Sequence, residues 1–237
     1  MKPTCVIAET HEAWVDNCAT WIAGAIREAV EHNGSCTLAL SGGSTPRPVY
    51  EALAQRDIDW SQVNLTFSDE RAVPPDDASS NYAMARAALI DHIDIPAEQV
   101  WRLPGEADDL DAAALAFEAT LPRSVDIVLL GIGTDGHTAS LFPDSPALGE
   151  HVRHVVPVQG PPPHTQRLTM TPPALMSAQQ VAVLAHGRGK ANILSRAMLG
   201  PFDPRSIPAS LARSGLWLLD TEAAMRLPRS LLRVATL

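Results

Sequence analysis

The 237-residue sequence predicts an α/β fold, a mostly parallel sheet with helices on both faces, and three observations carry that expectation. Short runs such as Cys36 to Leu40, Val125 to Leu130 and Gln180 to Ala185 are almost wholly apolar instead of alternating, the pattern of strands buried on both faces. Amphipathic helical stretches separate these runs, so strand and helix succeed one another along the chain. Glycine turns and charged residues gather where the runs end, at the carboxyl side of the strands, where open α/β sheets place their ligands.

A chain of this length can bury about 70% of its unfolded surface around one large core. A single domain over residues 1–237 is expected. Three cysteines, Cys5, Cys18 and Cys36, without C-x-x-C spacing, argue against a disulfide framework and against a thiolate metal site. The first fifteen residues lack the apolar core of a secretory leader, and no apolar run approaches the ~18 residues of a membrane span. A cytoplasmic protein without membrane contact is expected. The net charge of −9 argues against a nucleic-acid partner, and no obligate protein partner is inferred. A small anion needs only a local cluster of cations. Of the 18 cationic side chains only Lys2 and Lys190 are lysines, and Lys2 is terminal.

Taken in order, Val6 to Glu9 reads as a strand, and Thr10 as the N-cap of a helix to about His32. Its core face is Trp14, Cys18, Trp21, Ile22, Ala25, Ile26 and Ala29, at helical spacing. The strand Cys36 to Leu40 runs into SGGSTPRPVYEAL, where Gly42 and Gly43 make a turn, Ser44 or Thr45 caps a helix and Pro46 takes its first position. Free N–H groups at such a helix start suit a phosphate. A third strand, Val63 to Phe67, precedes Asp69, Glu70 and Arg71; Ser79 or Ser80 then caps a helix over Asn81 to Ile90. Asp108 to Thr120 is a further helix. After the strand at Val125 come Val152 to Val158, a proline turn at Pro161 to Pro163, Arg167 to Thr171, and a short helix from Pro172. Gln180 to Ala185 leads through HGRGK to a helix opened by Lys190, and Gly215 to Asp220 precedes a last helix from Thr221.

The densest chemistry lies in VDIVLLGIGTDGHTASLFP, Val125 to Pro143. Gly131, Gly133 and Gly136 punctuate a turn that holds Asp135 and delivers His137 beyond the strand. GIGTDG also fits the G-x-G-x-x-G dinucleotide fingerprint, but Pro143 and Pro146 leave room for at most a turn or two of helix. Glu150 precedes the next apolar run instead of ending it, so the acidic residue of that fingerprint is misplaced. His151, His154 and His164 lack a partner carboxylate at helical spacing and are not read as a metal site.

The segments SGGSTPRPVYEAL, SDERAVP…SSN, GIGTDGHTASLFPDSP, RLTMT, HGRGK and IPASLARSGLWLLD, in this order over about Cys36 to Ala224, closely resemble the 6-phosphogluconolactonase family. The resemblance implies a Rossmann-like sheet shared with glucosamine-6-phosphate deaminases and ribose-5-phosphate isomerases. Deaminating relatives look like D-E-Y at Asp69 to Arg71 and G-H-I-A-F-N-E-P at Gly136 to Pro143, whereas this chain reads DER and GHTASLFP. The resemblance further implies a phosphate cradle at Gly43, Ser44 and Thr45, cations from Arg71, Arg167 and Lys190, and a catalytic His137.

The implied reaction is hydrolysis of a phosphosugar lactone, with no metal or cofactor. An imidazole of ordinary pKa about 6.5 is suited to remove a proton from water at neutral pH. Asp135 or a backbone carbonyl would orient the ring, and N–H groups of the glycine-rich turn would stabilise the oxyanion, commonly by about 2.7–4 kcal/mol per donor. Arg71 has two readings, at the phosphate or at the developing anion. Two rivals stand beside this one: an isomerase or deaminase using a carboxylate such as Asp69 to remove a carbon-bound proton, and a non-catalytic sugar-phosphate sensor.

Overall fold

The computed structural model describes residues 3–122 and 124–233. In chain order these form β1 (Thr4–Ala8), α1 (His11–Asn33), β2 (Cys36–Leu40), α2 (Arg47–Leu53), β3 (Val63–Phe67), β4 (Asp69–Arg71), α3 (Asn81–Ala88), α4 (Leu110–Glu118) and β5 (Ile127–Leu130). There follow β6 (Val155–Gln159), β7 (Gln166–Met170), α5 (Pro172–Ser177), β8 (Gln180–Ala185), α6 (Ala191–Leu199), β9 (Leu216–Asp220), α7 (Thr221–Ala224) and β10 (Leu232–Arg233).

Seven strands make one sheet in the order β10-β1-β9-β8-β5-β2-β3, with every pairing parallel. Successive side chains of a strand point to opposite faces, so the apolar runs feed two cores at once. Ile127 and Leu129 of β5, Ala182 and Leu184 of β8, and Leu218 of β9 pack with α1, α2 and α3. Their neighbours Val128, Leu130, Val183, Ala185, Trp217 and Leu219 pack with α5, α6 and α7.

Helix α1 starts and stops where its caps dictate. The Thr10 hydroxyl accepts from Ala13 N–H, and Gly34, at φ 78°, closes the last turn on the Val30 carbonyl. Its expected core face is buried except for Trp21, which is half-buried. The Trp14 indole donates to the Leu218 carbonyl at 2.9 Å, pinning the helix to β9. All three cysteines are free and buried, and burial pushes the Cys5 thiol up to about 11 and that of Cys36 to about 12. Among the described residues no helix is long and apolar enough to cross a membrane.

Two expectations need correction. Strand and helix do not alternate throughout: β4, β7 and β6 form a separate antiparallel sheet, with Asp69 opposite Thr169 and Arg71 opposite Arg167. Three charged residues pair here with a strand a hundred positions away, and no local pattern announces that. The helix after Gly42 begins at Arg47, with Pro46 at the cap position and no side-chain cap bond, so neither Ser44 nor Thr45 caps it. The glycine turn simply extends through Pro46.

Glu70 ties the second sheet to the first layer of helices. Its carboxylate is buried and accepts from the N–H groups of Arg71, Asn81 and Tyr82 and from the Ser80 hydroxyl, at 2.7 to 3.0 Å. Burial pushes its carboxyl up against those four bonds. The Ser80 hydroxyl in turn accepts from Ala83 N–H, so the orphan donors of the first turn of α3 are satisfied. Glu70→Ala should destabilise the protein by about 3–5 kcal/mol, since hydrogen bonds to a charged group are worth roughly 1.5–3 kcal/mol each and buried donors are left unpaired. Thermal unfolding should show a Tm lower by roughly 10 °C or more; an unchanged Tm would refute this role.

Candidate active site

The site is assembled at the carboxyl edge of the parallel sheet. Beyond β5 the turn closes on itself: Gly133 N–H donates to the His137 carbonyl at 2.9 Å, Gly136 N–H to the Gly133 carbonyl at 3.0 Å, and the Thr138 hydroxyl to the Gly131 carbonyl at 2.8 Å. No helix follows His137; residues 138–145 turn through a bridge between Thr138 and Leu141. The helix that a dinucleotide fingerprint requires is thus missing from this loop.

Within the turn, Asp135 and His137 form a pair. The carboxylate accepts from the His137 backbone N–H at 3.1 Å and lies 2.6 Å from Nδ1. A carboxylate only accepts, so Nδ1 is the donor, and in the neutral ring the lone pair lies on Nε2. Of the two orienting groups considered from sequence, the carboxylate is therefore the one in place. Burial would raise the Asp135 carboxyl, but the His137 backbone N–H and the imidazole beside it outweigh burial and hold it below the ordinary carboxylate value. Gly133 makes the pair possible, since a Cβ there would lie 2.1 Å from Nδ1 of His137 and 2.4 Å from Oδ1 of Asp135.

One strand over, β2 ends in the glycine turn. The buried Tyr50 hydroxyl accepts from Ser41 N–H and donates to the Ser41 carbonyl, both at 2.9 Å, which fixes where the turn begins. Gly43 then takes φ 94°, a conformation that side chains disfavour. Among the described residues no group accepts from the N–H of Gly42, Gly43, Ser44 or Thr45.

The cations arrive from both sheets. Arg71 and Arg167 are cross-strand neighbours in the second sheet. Arg71 donates to the Ser79 carbonyl, and Arg167 to the His164 carbonyl at 3.1 Å. Between Arg167 and the buried Asp69 stands Ser140, whose hydroxyl donates to Asp69 Oδ2 at 2.6 Å and receives Arg167 Nη1 at 3.4 Å. Lys190 sits in the turn after β8, and its Nζ donates to the Ile132 carbonyl at 2.6 Å. Burial lowers both Arg167 and Lys190 from their ordinary values, opposed by Asp69 for the first and Asp135 for the second.

All twelve residues singled out from the sequence lie at or beside this edge. Gly42, Gly43, Ser44, Thr45, Asp69, Arg71, Gly133, His137, Arg167 and Lys190 line one cavity of about 230 Å³. Asp135 backs His137, and Gly136, at φ 96°, shapes their turn. Sequence reasoning missed Asn81, whose amide donates to the Asp69 carbonyl at 2.8 Å from the cavity wall, and it missed Ser140, which links Asp69 to Arg167, and Phe142, whose ring lies against that of His137. Asn81 and Ser140 carried no local signal beyond small polar side chains inside otherwise informative motifs.

These features define an α/β protein whose carboxyl-edge cavity, rich in cations and free N–H groups, suits a small anionic ligand beside an Asp–His pair. The family described as glucosamine-6-phosphate isomerases/6-phosphogluconolactonase matches residues 9–218, and the chain belongs to it. It is 41% identical over 226 residues to the 6-phosphogluconolactonase of Mycobacterium tuberculosis, spanning 87% of this chain and 91% of that one. The structure of 6-phosphogluconolactonase from Trypanosoma brucei matches with a TM-score of 0.83 at 28% identity, covering 96% of this chain and 99% of that chain. A monomeric glucosamine-6-phosphate deaminase, at 24% identity and a TM-score of 0.83 over 94% of this chain and 99% of its own, shares the fold.

Gly133→Ala tests the geometry of the pair. The added methyl must push His137 and Asp135, which are 33% and 49% exposed and can yield toward solvent, so the fold should survive. A displacement of about 1 Å in a catalytic group costs roughly 10²-fold, and kcat should fall by about that factor with Tm nearly unchanged. Turnover equal to that of the unaltered protein would show that the pair is not catalytic.

Proposed function

We propose that this protein hydrolyses 6-phospho-D-glucono-1,5-lactone to 6-phosphogluconate, with His137 as general base. The enzyme is a lactone hydrolase of sugar-phosphate metabolism, as its family and its relatives support. The observation that carries the mechanism is the Asp135–His137 pair, which occupies Nδ1 and leaves Nε2 without a protein partner among the described residues, on a cavity that Arg71, Arg167 and Lys190 also line.

His137 Nε2 takes a proton from a water whose oxygen attacks lactone C1. The imidazolium is stabilised by the ionised Asp135 at 2.6 Å. The C1 oxyanion then collapses, the bond from C1 to the ring oxygen breaks, and the imidazolium returns its proton to that oxygen, which becomes the C5 hydroxyl. The new carboxylic acid ionises at neutral pH, so one proton is released per turnover. Gly133, Gly136 and His137 use their N–H groups inside their own turn. The donors on the cavity wall for phosphate and oxyanion include the N–H groups of residues 42–45 together with Arg71, Arg167 and Lys190. Asp69, the carboxylate that an isomerase or deaminase would need, has Oδ2 engaged by Ser140 and Oδ1 facing the Asn81 amide.

Proton release on adding fresh 6-phosphogluconolactone, corrected for spontaneous hydrolysis, tests the activity; a rate no higher than background would end this reading. His137→Ala should lose roughly 10²–10⁴-fold in kcat, the usual reach of a general base, with KM within a few-fold. His137→Asn, which keeps a polar group without a titrating nitrogen, should lose as much. Unaltered turnover in either variant at pH 7 would remove His137 from the mechanism.

Lys190 is assigned to the substrate phosphate. An ammonium is a compact point charge, and a planar guanidinium does not simply replace one already seated on the Ile132 carbonyl. Lys190→Arg should raise KM clearly, and Lys190→Ala further, by about 1.5–3 kcal/mol. Hydrolysis of unphosphorylated gluconolactone should barely change. Equal losses on both lactones would place Lys190 at the reacting carbonyl instead.

A further inference from the structure

Phe142 belongs to neither the cradle nor the Asp–His pair, yet both of its neighbours are functional. Its ring centroid lies 4.7 Å from that of His137, at 44° between planes, and the Arg167 guanidinium carbon stands 5.4 Å from the same ring. The phenyl ring therefore contacts the proposed base and a cavity cation together. The arrangement is braced on several sides. Phe142 lies just beyond the bridge between Thr138 and Leu141, its carbonyl accepts from Ser145 N–H at 3.0 Å, and Asp144 turns the chain at φ 60°. Gly160 leaves space for it, since a Cβ there would meet Arg167 Nε at 2.5 Å and Phe142 Cε2 at 3.1 Å.

We infer that Phe142 is a positioning residue for the reaction, holding the His137 imidazole in line with the substrate and keeping the Arg167 charge off it while the ring is protonated. The inference rests on His137 being the base. During turnover the imidazole becomes a cation, and the charged groups around it are Asp135 from its own turn, Lys190 from the turn after β8, and Asp69, Arg71 and Arg167 from the second sheet. Two carboxylates, one of them the buried Asp69 held by Ser140, face three fixed positive charges. An aromatic face attracts a cation on either side of it, so a phenyl ring beside both imidazolium and guanidinium favours the pair that would otherwise repel. An aliphatic residue of similar bulk fills the space without that attraction.

The comparison is Phe142→Leu against Phe142→Tyr, with kcat, KM and the pH profile measured on unphosphorylated gluconolactone, because a phosphate monoester titrates near ~6 and would overlap the enzyme's acid limb. Phe142→Leu should lower kcat roughly tenfold with KM nearly constant, and move the acid limb to lower pH by roughly half a unit, because the imidazolium loses its aromatic neighbour. Phe142→Tyr keeps the ring and should stay within about twofold of the unaltered enzyme with its acid limb in place. If the leucine variant lacks a cooperative melting transition, Phe142→Met is read in its stead. Unchanged kcat and acid limb in the leucine variant, an equal loss in the tyrosine variant, or an effect confined to KM would each overturn the inference. His137→Asn run alongside separates the two ideas: if it stays active the base assignment fails, and if it is inactive while Phe142→Leu is normal only the role of Phe142 fails.

Discussion

Because β2, β3, β5 and β8 all run the same way, four distant chain segments leave the sheet along one edge, and the site consists of what those segments carry. The glycine turn follows β2, Asp69 and Arg71 follow β3, His137 follows β5 and Lys190 follows β8. Adjacent strands lie about 4.8 Å apart, so side chains contributed from neighbouring strand ends converge within the span of one small molecule. Parallel pairing is possible only with both faces covered, and the alternation of Ile127, Val128, Leu129 and Leu130 between two cores is how this sequence covers them. The chemistry at the edge thus depends on apolar packing that takes no part in it.

The cavity is electrostatically unlike the rest of the molecule. A chain of net charge −9 gathers Arg71, Arg167 and Lys190 around one small volume, with two of the three cations directly opposed in a β ladder. Like charges so placed repel, and burial makes the charged forms of Arg167 and Lys190 costlier still. Asp69 offsets part of this from below through Ser140. What remains is a positive, partly desolvated cavity with N–H groups at residues 42–45 that are unpaired among the described residues, a state that a doubly charged anion would relieve. Preorganised donors of this kind need little rearrangement when the anion arrives.

Much of this was legible in the sequence because buried parallel strands leave a local record. Cys36–Leu40, Val63–Phe67 and Gln180–Ala185 have the bounds read from the apolar runs, and Thr10 and Ser80 cap the helices expected of them. The second sheet left no such record, since Asp69 to Arg71 finds its partner in residues 167 to 169 and three charges at a strand end carry no strand pattern of their own. Glu70, in the middle of that charge run, is the buried anchor of α3. Ser140 and Phe142 contact residues far along the chain, Asp69 and Arg167 above all, and a phenylalanine between Leu141 and Pro143 looks like any core residue. Local chemistry is readable from one segment; a role defined by who stands opposite is not.

The family's description covers isomerases and a lactonase, and a deaminase shares the fold, so the fold alone does not choose a reaction. In the mechanism proposed for this chain, the choice lies in which acid–base group is free. Asp69 is buried, with one oxygen held by Ser140 at 2.6 Å and the other facing Asn81, so removing a carbon-bound proton would mean breaking a network that also steadies Arg167. His137 is a third exposed, held on one side by Asp135, and its second nitrogen has no protein partner among the described residues. A base in that condition can bind and deprotonate a water without disturbing anything else in the site. An activated ester such as a lactone asks only for that and for a place to put negative charge, and the cations on the cavity wall supply the place.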